Sequence, residues 1–220
     1  MTYLWPPGSR IMMDFLLTRH GETLWNVEQR IQGRTDIPLT ERGEEQARLL
    51  ARRLEGTLID AIYSSDLVRA TRTAEIIREK VRAPLETDPA LRERNWGNLE
   101  GLTWKEIVGD HPDAAAQIKA GSMDFAPEGG ESRYQVIRRV LDWLNRTVEA
   151  NEGKTILTVT HGGVSAYIVK NALDIDLNRR TPFTISNCSL TSMVYADDSF
   201  WFITKLNDTS HLEEAQKSGI

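Results

Sequence analysis

The chain has 220 residues, 40% of them hydrophobic and 27% charged, with 27 basic against 32 acidic side chains and a net charge of −5. That balance fits one globular domain with a sizeable core, and it excludes a general nucleic-acid binder and a polybasic membrane anchor. The sole cysteine, Cys188, leaves no disulfide framework within the chain and makes a reducing cytoplasm the expected compartment, and no apolar stretch approaches bilayer length.

Met1–Arg10 contain Trp5-Pro6-Pro7-Gly8-Ser9 and one basic residue but no continuous apolar segment of the kind a secretory signal needs. Residues 1–12 therefore read as a flexible extension, with Met12 or Met13 as alternative starts, ahead of one domain over residues 13–206 and a tail over 207–220.

Strands and helices then alternate, which predicts an α/β fold with a mainly parallel sheet covered on both faces. The first strand is about Asp14–Thr18, and a loop with Gln32-Gly33 and Pro38 follows. A helix is expected near Thr40–Leu54, where Ala47, Leu50, Ala51 and Leu54 fall at helical spacing. Ala61–Ser64 is a short strand feeding a helix near Leu67–Val81, with Leu67, Ala70, Ala74, Ile77 and Val81 on one face. Residues 82–130 are less regular, although Thr103 with Glu106 forms a capping box and Ala114–Ala120 looks helical. Ser132 with Gln135 opens a long helix carrying Ile137, Val140, Leu141, Leu144 and Val148. Thr155–Thr160 is a buried strand and Val164–Leu173 a helix. Ser189–Ala196 and Phe200–Leu206, joined by a turn at Asp197-Asp198, form an antiparallel hairpin at the sheet edge. An exposed edge strand of this kind offers a route to a homodimer.

One phrase recurs along the chain. Phe15-Leu16-Leu17-Thr18-Arg19-His20-Gly21-Glu22 and Ile156-Leu157-Thr158-Val159-Thr160-His161-Gly162-Gly163 are both β-rich runs that stop at His-Gly. Open α/β sheets bind ligands beyond the carboxyl ends of their strands, so these ends would bring two imidazoles and the Arg19 guanidinium to one crevice. Imidazole serves as nucleophile or proton carrier near neutral pH, and the guanidinium fork matches phosphate. The combination points to phosphoryl transfer. Arg19 pairing with a carboxylate at the sheet end is the structural alternative.

Arg19-His20-Gly21-Glu22-Thr23, with Asn26, Gln32-Gly33, Tyr63-Ser64-Ser65-Asp66-Leu67-Val68-Arg69-Ala70, Glu93 and Thr160-His161-Gly162, resembles the phosphoglycerate mutase-like histidine phosphatase superfamily from about Met13 to Leu206. The resemblance implies a three-layer α/β/α sandwich and metal-independent catalysis through phosphohistidine. It implies His20 as nucleophile, with the Gly21 carbonyl orienting its other ring nitrogen. Arg19, Arg69 and His161 would surround the phosphoryl group, and Glu93 would be the acid. Arg69 is preferred to Arg72 because it lies nearer the strand-to-helix junction; a helix arginine facing solvent is the alternative. Without the resemblance, Glu93 would read as a surface partner of an adjacent arginine. Asn26 and Gln32 are either phosphate contacts or loop-stabilising amides, and Gly33 and Gly162 are further phosphate-binding candidates.

No Cys/His spacing suggests a metal site: His111 and His211 stand apart, and no cofactor is expected. The expected partner is a small phosphate ester. Within the superfamily, the segment between Gly101 and Gly129 carries no paired arginines, and Trp96 and Trp104 replace a tyrosine and a lysine of the mutase pattern. Those departures favour a phosphatase over a cofactor-dependent mutase, and the joint presence of Arg19, His20, Arg69, Glu93 and His161 disfavours the other alternative, a non-catalytic phosphate-binding module. The ending Asn207–Glu214 looks like that of broad-specificity and metal-independent phosphoserine phosphatases, whose His-Leu tail helps form the substrate pocket. A solvated polar tail is the other reading of His211.

Overall fold

The computed structural model of the chain describes residues 11–196 and 200–217. Six strands form one sheet in the order β3-β2-β4-β1-β5-β6. They are β1 (Ile11–Arg19), β2 (Ala61–Ser64), β3 (Leu85–Thr87), β4 (Lys154–Thr160), β5 (Leu190–Ala196) and β6 (Phe200–Asp208). β1 through β4 run parallel, while β5 pairs antiparallel with β1, and β6 antiparallel with β5. The expected antiparallel edge is thus a two-stranded flank. The turn placed at Asp197-Asp198 lies outside the described residues, as do residues 1–10. Ile11 and Met12, assigned to the extension, begin β1 instead.

Helices cover both faces. α1 (Leu24–Val27) is one short turn, and α2 (Glu41–Leu54) and α3 (Val68–Val81) lie on one side. α4 (Trp104–Asp110) and α5 (Pro112–Ala120) stand apart from the sheet over a small core of Leu99, Ile107 and Ala115. α6 (Arg133–Ala150) and α7 (Gly162–Ala172) cover the second face, and α8 (Ser210–Lys217) closes the chain. Side-chain alternation along the strands divides the core: Leu16, Leu157 and Val159 pack toward α2 and α3, whereas Met13, Phe15, Leu17 and Ile156 pack toward α6 and α7.

The two capping boxes read from sequence are present, Thr103/Glu106 and Ser132/Gln135. At the start of α2, Thr40 also accepts from Gly43 N–H. Residues 82–130 hold more structure than expected. β3 and the 3-10 turns at Pro89–Leu91 and Gly97–Leu99 are too short to carry a periodic signal. At the start of the tail, Asn207 and Asp208 extend β6, and α8 packs against α2. His211 is buried, within hydrogen-bond distance of Cys188 O at 3.0 Å.

Phe15 is fully buried between the rings of Trp143 and Trp201, edge-on to both at 6.4 and 5.6 Å. Phe15→Ala removes the centre of that layer and is expected to cost about 3–5 kcal/mol in urea unfolding.

Candidate active site

β1 and β4 pair in parallel with Arg19 opposite Thr160, and His20 N–H continues the ladder to Thr160 O at 2.9 Å. Their next residues, His20 and His161, therefore emerge side by side, with ring centroids 5.2 Å apart. Both are buried. His20 Nδ1 lies 2.7 Å from Gly21 O. A carbonyl can only accept, so the proton sits on Nδ1 and the Nε2 lone pair is left toward the site. His161 Nε2 is 2.8 Å from Ser65 Oγ, which also accepts from Leu67 N–H, while His161 Nδ1 is a buried atom with no partner among the described residues.

Two guanidinium groups flank the imidazoles, neither in a salt bridge with a carboxylate among the described residues. Arg19 Nη1 donates to Ile185 O at 2.9 Å, and its buried Nε has no partner among the described residues. Arg69 is fully buried on the first turn of α3, where Nη1 donates to Thr35 O and Nη2 to Gly33 O, at 2.9 and 2.6 Å, and Nε is again unpartnered. Arg72, three residues on, instead faces the surface and pairs with Glu44. The choice of Arg69 over Arg72 follows from the helix phase: only Arg69 points inward.

Glu93 reaches the same place from the loop after the Pro89–Leu91 turn. Its Oε1 accepts from Arg94 N–H at 2.9 Å and its Oε2 from Gly163 N–H at 3.0 Å, in the first turn of α7. Among the described residues no arginine takes it as an ion-pair partner: Arg92 pairs with Asp66, and Arg94 donates to Glu131 O and Phe125 O. Arg139 anchors the loop through Ala90 O and Glu93 O. A side chain on Gly163 would come within 2.5 Å of Glu93 Oε1, so glycine is what lets α7 meet the carboxylate.

The electrostatics follow from burial among cations. Desolvation first, then Arg19 and Arg69, push His20 well below the ordinary histidine range. Desolvation, Arg69, His20 and Arg19 do the same to His161. Burial lowers Arg19 and brings Arg69 down to about 10, opposed in both by Glu93. Removal from water is the larger cause that keeps His20 neutral, and the cationic neighbours add to it.

The remaining candidates divide. Asn26 Oδ1 accepts from Thr23 N–H, Thr23 Oγ1 and Asn187 Nδ2, which makes it a loop-building amide. Gln32 is buried with Oε1 unpartnered among the described residues. Gly33 has φ +55°, with the Glu100 carboxylate filling the space a side chain would need, and its carbonyl holds Arg69. Gly162 opens α7 directly over Arg19, where an added Cβ would lie 3.5 Å from Nε. Its N–H is one of the first-turn donors a helix leaves free.

Several contributors were missed. Ser65 and Thr73 are visible in hindsight as the residue after β2 and the residue one turn beyond Arg69; Thr73 Oγ1 accepts Gly21 N–H at 3.1 Å. Asn187 Nδ2 donates to His20 O at 2.8 Å from an irregular segment that gives no sequence signal. A cleft of about 900 Å³ opens beside Glu93 and Gly163, between α4–α5 and the loop after α7. Arg179 and Arg180 line it, so paired arginines do flank the site, outside the Gly101–Gly129 segment.

A sequence model of the histidine phosphatase superfamily (branch 1) matches residues 15–209. The chain belongs to that superfamily. A probable phosphoglycerate mutase GpmB of Yersinia pestis is 35% identical over 206 residues, covering 92% of this chain and 96% of its own. Among solved structures, Bacillus stearothermophilus YhfR superposes with a TM-score of 0.84 at 37% identity, over 91% of this chain and 99% of its own. An Entamoeba histolytica phosphoserine phosphatase in complex with 3-phosphoglyceric acid gives 0.81 at 31%, over 91% and 100%. The match spans every residue of the candidate site described above. Among the described residues no cluster of three or more His, Cys, Asp or Glu side chains is placed to hold a metal ion, and no helix is long and apolar enough to cross a membrane.

The depressed histidines make stability pH-dependent. Below the unfolded value of about 6.5 the unfolded chain takes up protons that buried His20 and His161 refuse, so their contribution is complete above that pH and is lost as pH falls. Asp66 and Glu131, whose carboxyls are lowered, act at more acidic pH. Thermal melts from pH 7 to 5 should show a falling Tm, and a His20→Asn/His161→Asn double variant should show a flatter slope.

Proposed function

We propose that the protein is a metal-independent phosphatase that hydrolyses small-molecule phosphate monoesters through phosphohistidine, in the cytoplasm. The observation that carries this reading is the set of buried, unspent atoms on the residues that neighbour a neutral imidazole, His20: Arg19 Nε, Arg69 Nε and His161 Nδ1. Buried donors are rarely left unpaired, and guanidinium groups without carboxylate partners suit a phosphoryl dianion.

In this mechanism His20 Nε2 attacks phosphorus, the P–O bond to the leaving group breaks, and Glu93 delivers a proton to the departing oxygen. Arg19, Arg69 and the Gly162 N–H offset charge on the equatorial oxygens. If Ser65 donates to His161 Nε2, the His161 proton sits on Nδ1, where it adds a donor. Water then attacks the phosphohistidine, Glu93 takes its proton, and phosphate leaves with His20 restored. The Arg94 and Gly163 N–H groups hold the carboxyl in one orientation for both steps.

A mutase is the second reading. The arginines lining the cleft and the name of the Yersinia relative favour it. Incubation with 3-phosphoglycerate and 2,3-bisphosphoglycerate separates the two: a phosphatase releases inorganic phosphate, and a mutase accumulates the isomeric monophosphate.

His20→Ala is expected to lower kcat/KM by about 10⁴-fold or more and to abolish acid-labile labelling, with circular dichroism unchanged. Near-normal turnover would remove the mechanism. Exhaustive chelation should leave hydrolysis intact, whereas loss reversed by one divalent ion would contradict it. Glu93→Gln should slow single-turnover phosphorylation by about 10²–10⁴-fold for alkyl esters and much less for p-nitrophenyl phosphate, whose leaving group needs little protonation. Equal losses would dismiss Glu93 as the acid.

A further inference from the structure

The cleft beside Glu93 is larger and more positively charged than a three-carbon phosphoester requires. Its volume of about 900 Å³ lies near the top of the roughly 300–1,000 Å³ range that accommodates drug-sized ligands. Arg94, Lys119, Arg133, Arg179 and Arg180 line it against one carboxylate, Glu93, although the whole chain carries a net charge of −5. Aromatic and small residues make up much of the wall, including Trp96, Phe125, Tyr167 and Gly121.

The charged wall is built rather than incidental. Arg133 donates to Gly121 O and Leu177 O and to Tyr167 Oη, tying the end of α5 to the loop after α7. Lys170 is buried beneath that loop, its Nζ donating to Leu177 O at 3.0 Å and Arg179 O at 2.7 Å. These two cations fix the segment that presents Arg179 and Arg180, whose own side chains make no ion pair among the described residues. On the opposite wall Arg94 lies 4.1 Å from the Trp96 ring centroid. Its Nε and Nη2 are held by Glu131 O and Phe125 O, and Nη1 keeps no protein acceptor among the described residues. Arg94 is therefore a buried, oriented cation with one donor nitrogen to spare.

We propose that this cleft is a leaving-group site for a large phosphomonoester with a flat apolar body and a second anionic group at its far end, a carboxylate or a phosphate, met by Arg94, Arg179 and Arg180. The proposal rests on the phosphatase reading above. The phosphoester would lie at His20, the ester oxygen beside Glu93, and the body between Trp96 and Tyr167. Three-carbon phosphoacids would reach the catalytic groups without filling the cleft.

The test compares 2-naphthyl phosphate with its 6-carboxylate and with naphthalene-2,6-diyl bisphosphate, the last two separating a carboxylate from a phosphate end. The full chain should favour at least one anionic ester over the neutral one by about 10- to 100-fold in kcat/KM, chiefly through KM, and over 3-phosphoglycerate by more. Arg179→Gln/Arg180→Gln, two exposed positions with little risk to folding, and separately Arg94→Met, should collapse that ratio toward unity. A ratio near one in the unsubstituted protein, or one that survives both variants, overturns the proposal while leaving the phosphatase reading intact. If none of the esters is hydrolysed and His20 is never labelled, the phosphatase reading fails instead. The cleft is then judged by calorimetry: 6-hydroxy-2-naphthoate should bind at least tenfold tighter than 2-naphthol, and equal affinities refute the anionic subsite.

Discussion

Everything at the site depends on the parallel pairing of β1 with β4. A one-residue slip would turn every side chain of one strand to the opposite face, burying polar groups under α6 and α7 and separating the two histidines. Phe15 opposite Ile156 and Arg19 opposite Thr160 are two readings of the same register: the first is enforced by the core, the second delivers the imidazoles. Packing energy in the middle of the sheet thus determines geometry at its end. The Asn187 side chain reinforces that arrangement by donating to His20 O from the segment leading into β5.

The site holds one fully buried and one partly buried cation whose hydrogen bonds go to carbonyls instead of carboxylates. Arg69 is fixed by Gly33 and Thr35 and Arg19 by Ile185. A carboxylate partner would stabilise each guanidinium but would compete with an incoming anion. Carbonyl acceptors position the fork without neutralising it, and burial lowers Arg69 only to about 10, so it stays charged near neutral pH. The same desolvation that costs stability keeps both histidines neutral. This is the arrangement expected where electrostatic preorganisation, rather than folding stability, decides which residues remain.

Superfamily membership identifies the fold and the reacting end of the site more firmly than the leaving group. Relatives bearing mutase and phosphatase names both match more than 90% of this chain, so the shared fold leaves the choice of leaving group to the walls around Glu93. In this chain those walls come from α4–α5, the Arg94–Trp96 loop and the loop after α7, which belong to the least regular parts of the sequence.

The sequence by itself determined most of the elements and singled out the side chains that meet at the candidate site. Helical spacing and caps located α2, α3 and α6, and an apolar run ending in His-Gly located both central strands, because these signals are local and repeat within a few residues. Arg69 was separable from Arg72 by its distance from the strand end. Tertiary structure decided the rest. β3 and the 3-10 turns are too short for periodicity. The Arg179–Arg180 pair, Asn187 and Ser65 meet the site across long stretches of chain. His211, which the sequence left between a solvated tail and a pocket wall, is buried by α8 docking on α2. Asn26 was drawn into its own loop because its carbonyl oxygen already serves three donors. Composition and spacing record what a segment can form; which donors are left unspent, and which cations share a wall, depends on contacts between segments that only the folded chain brings together.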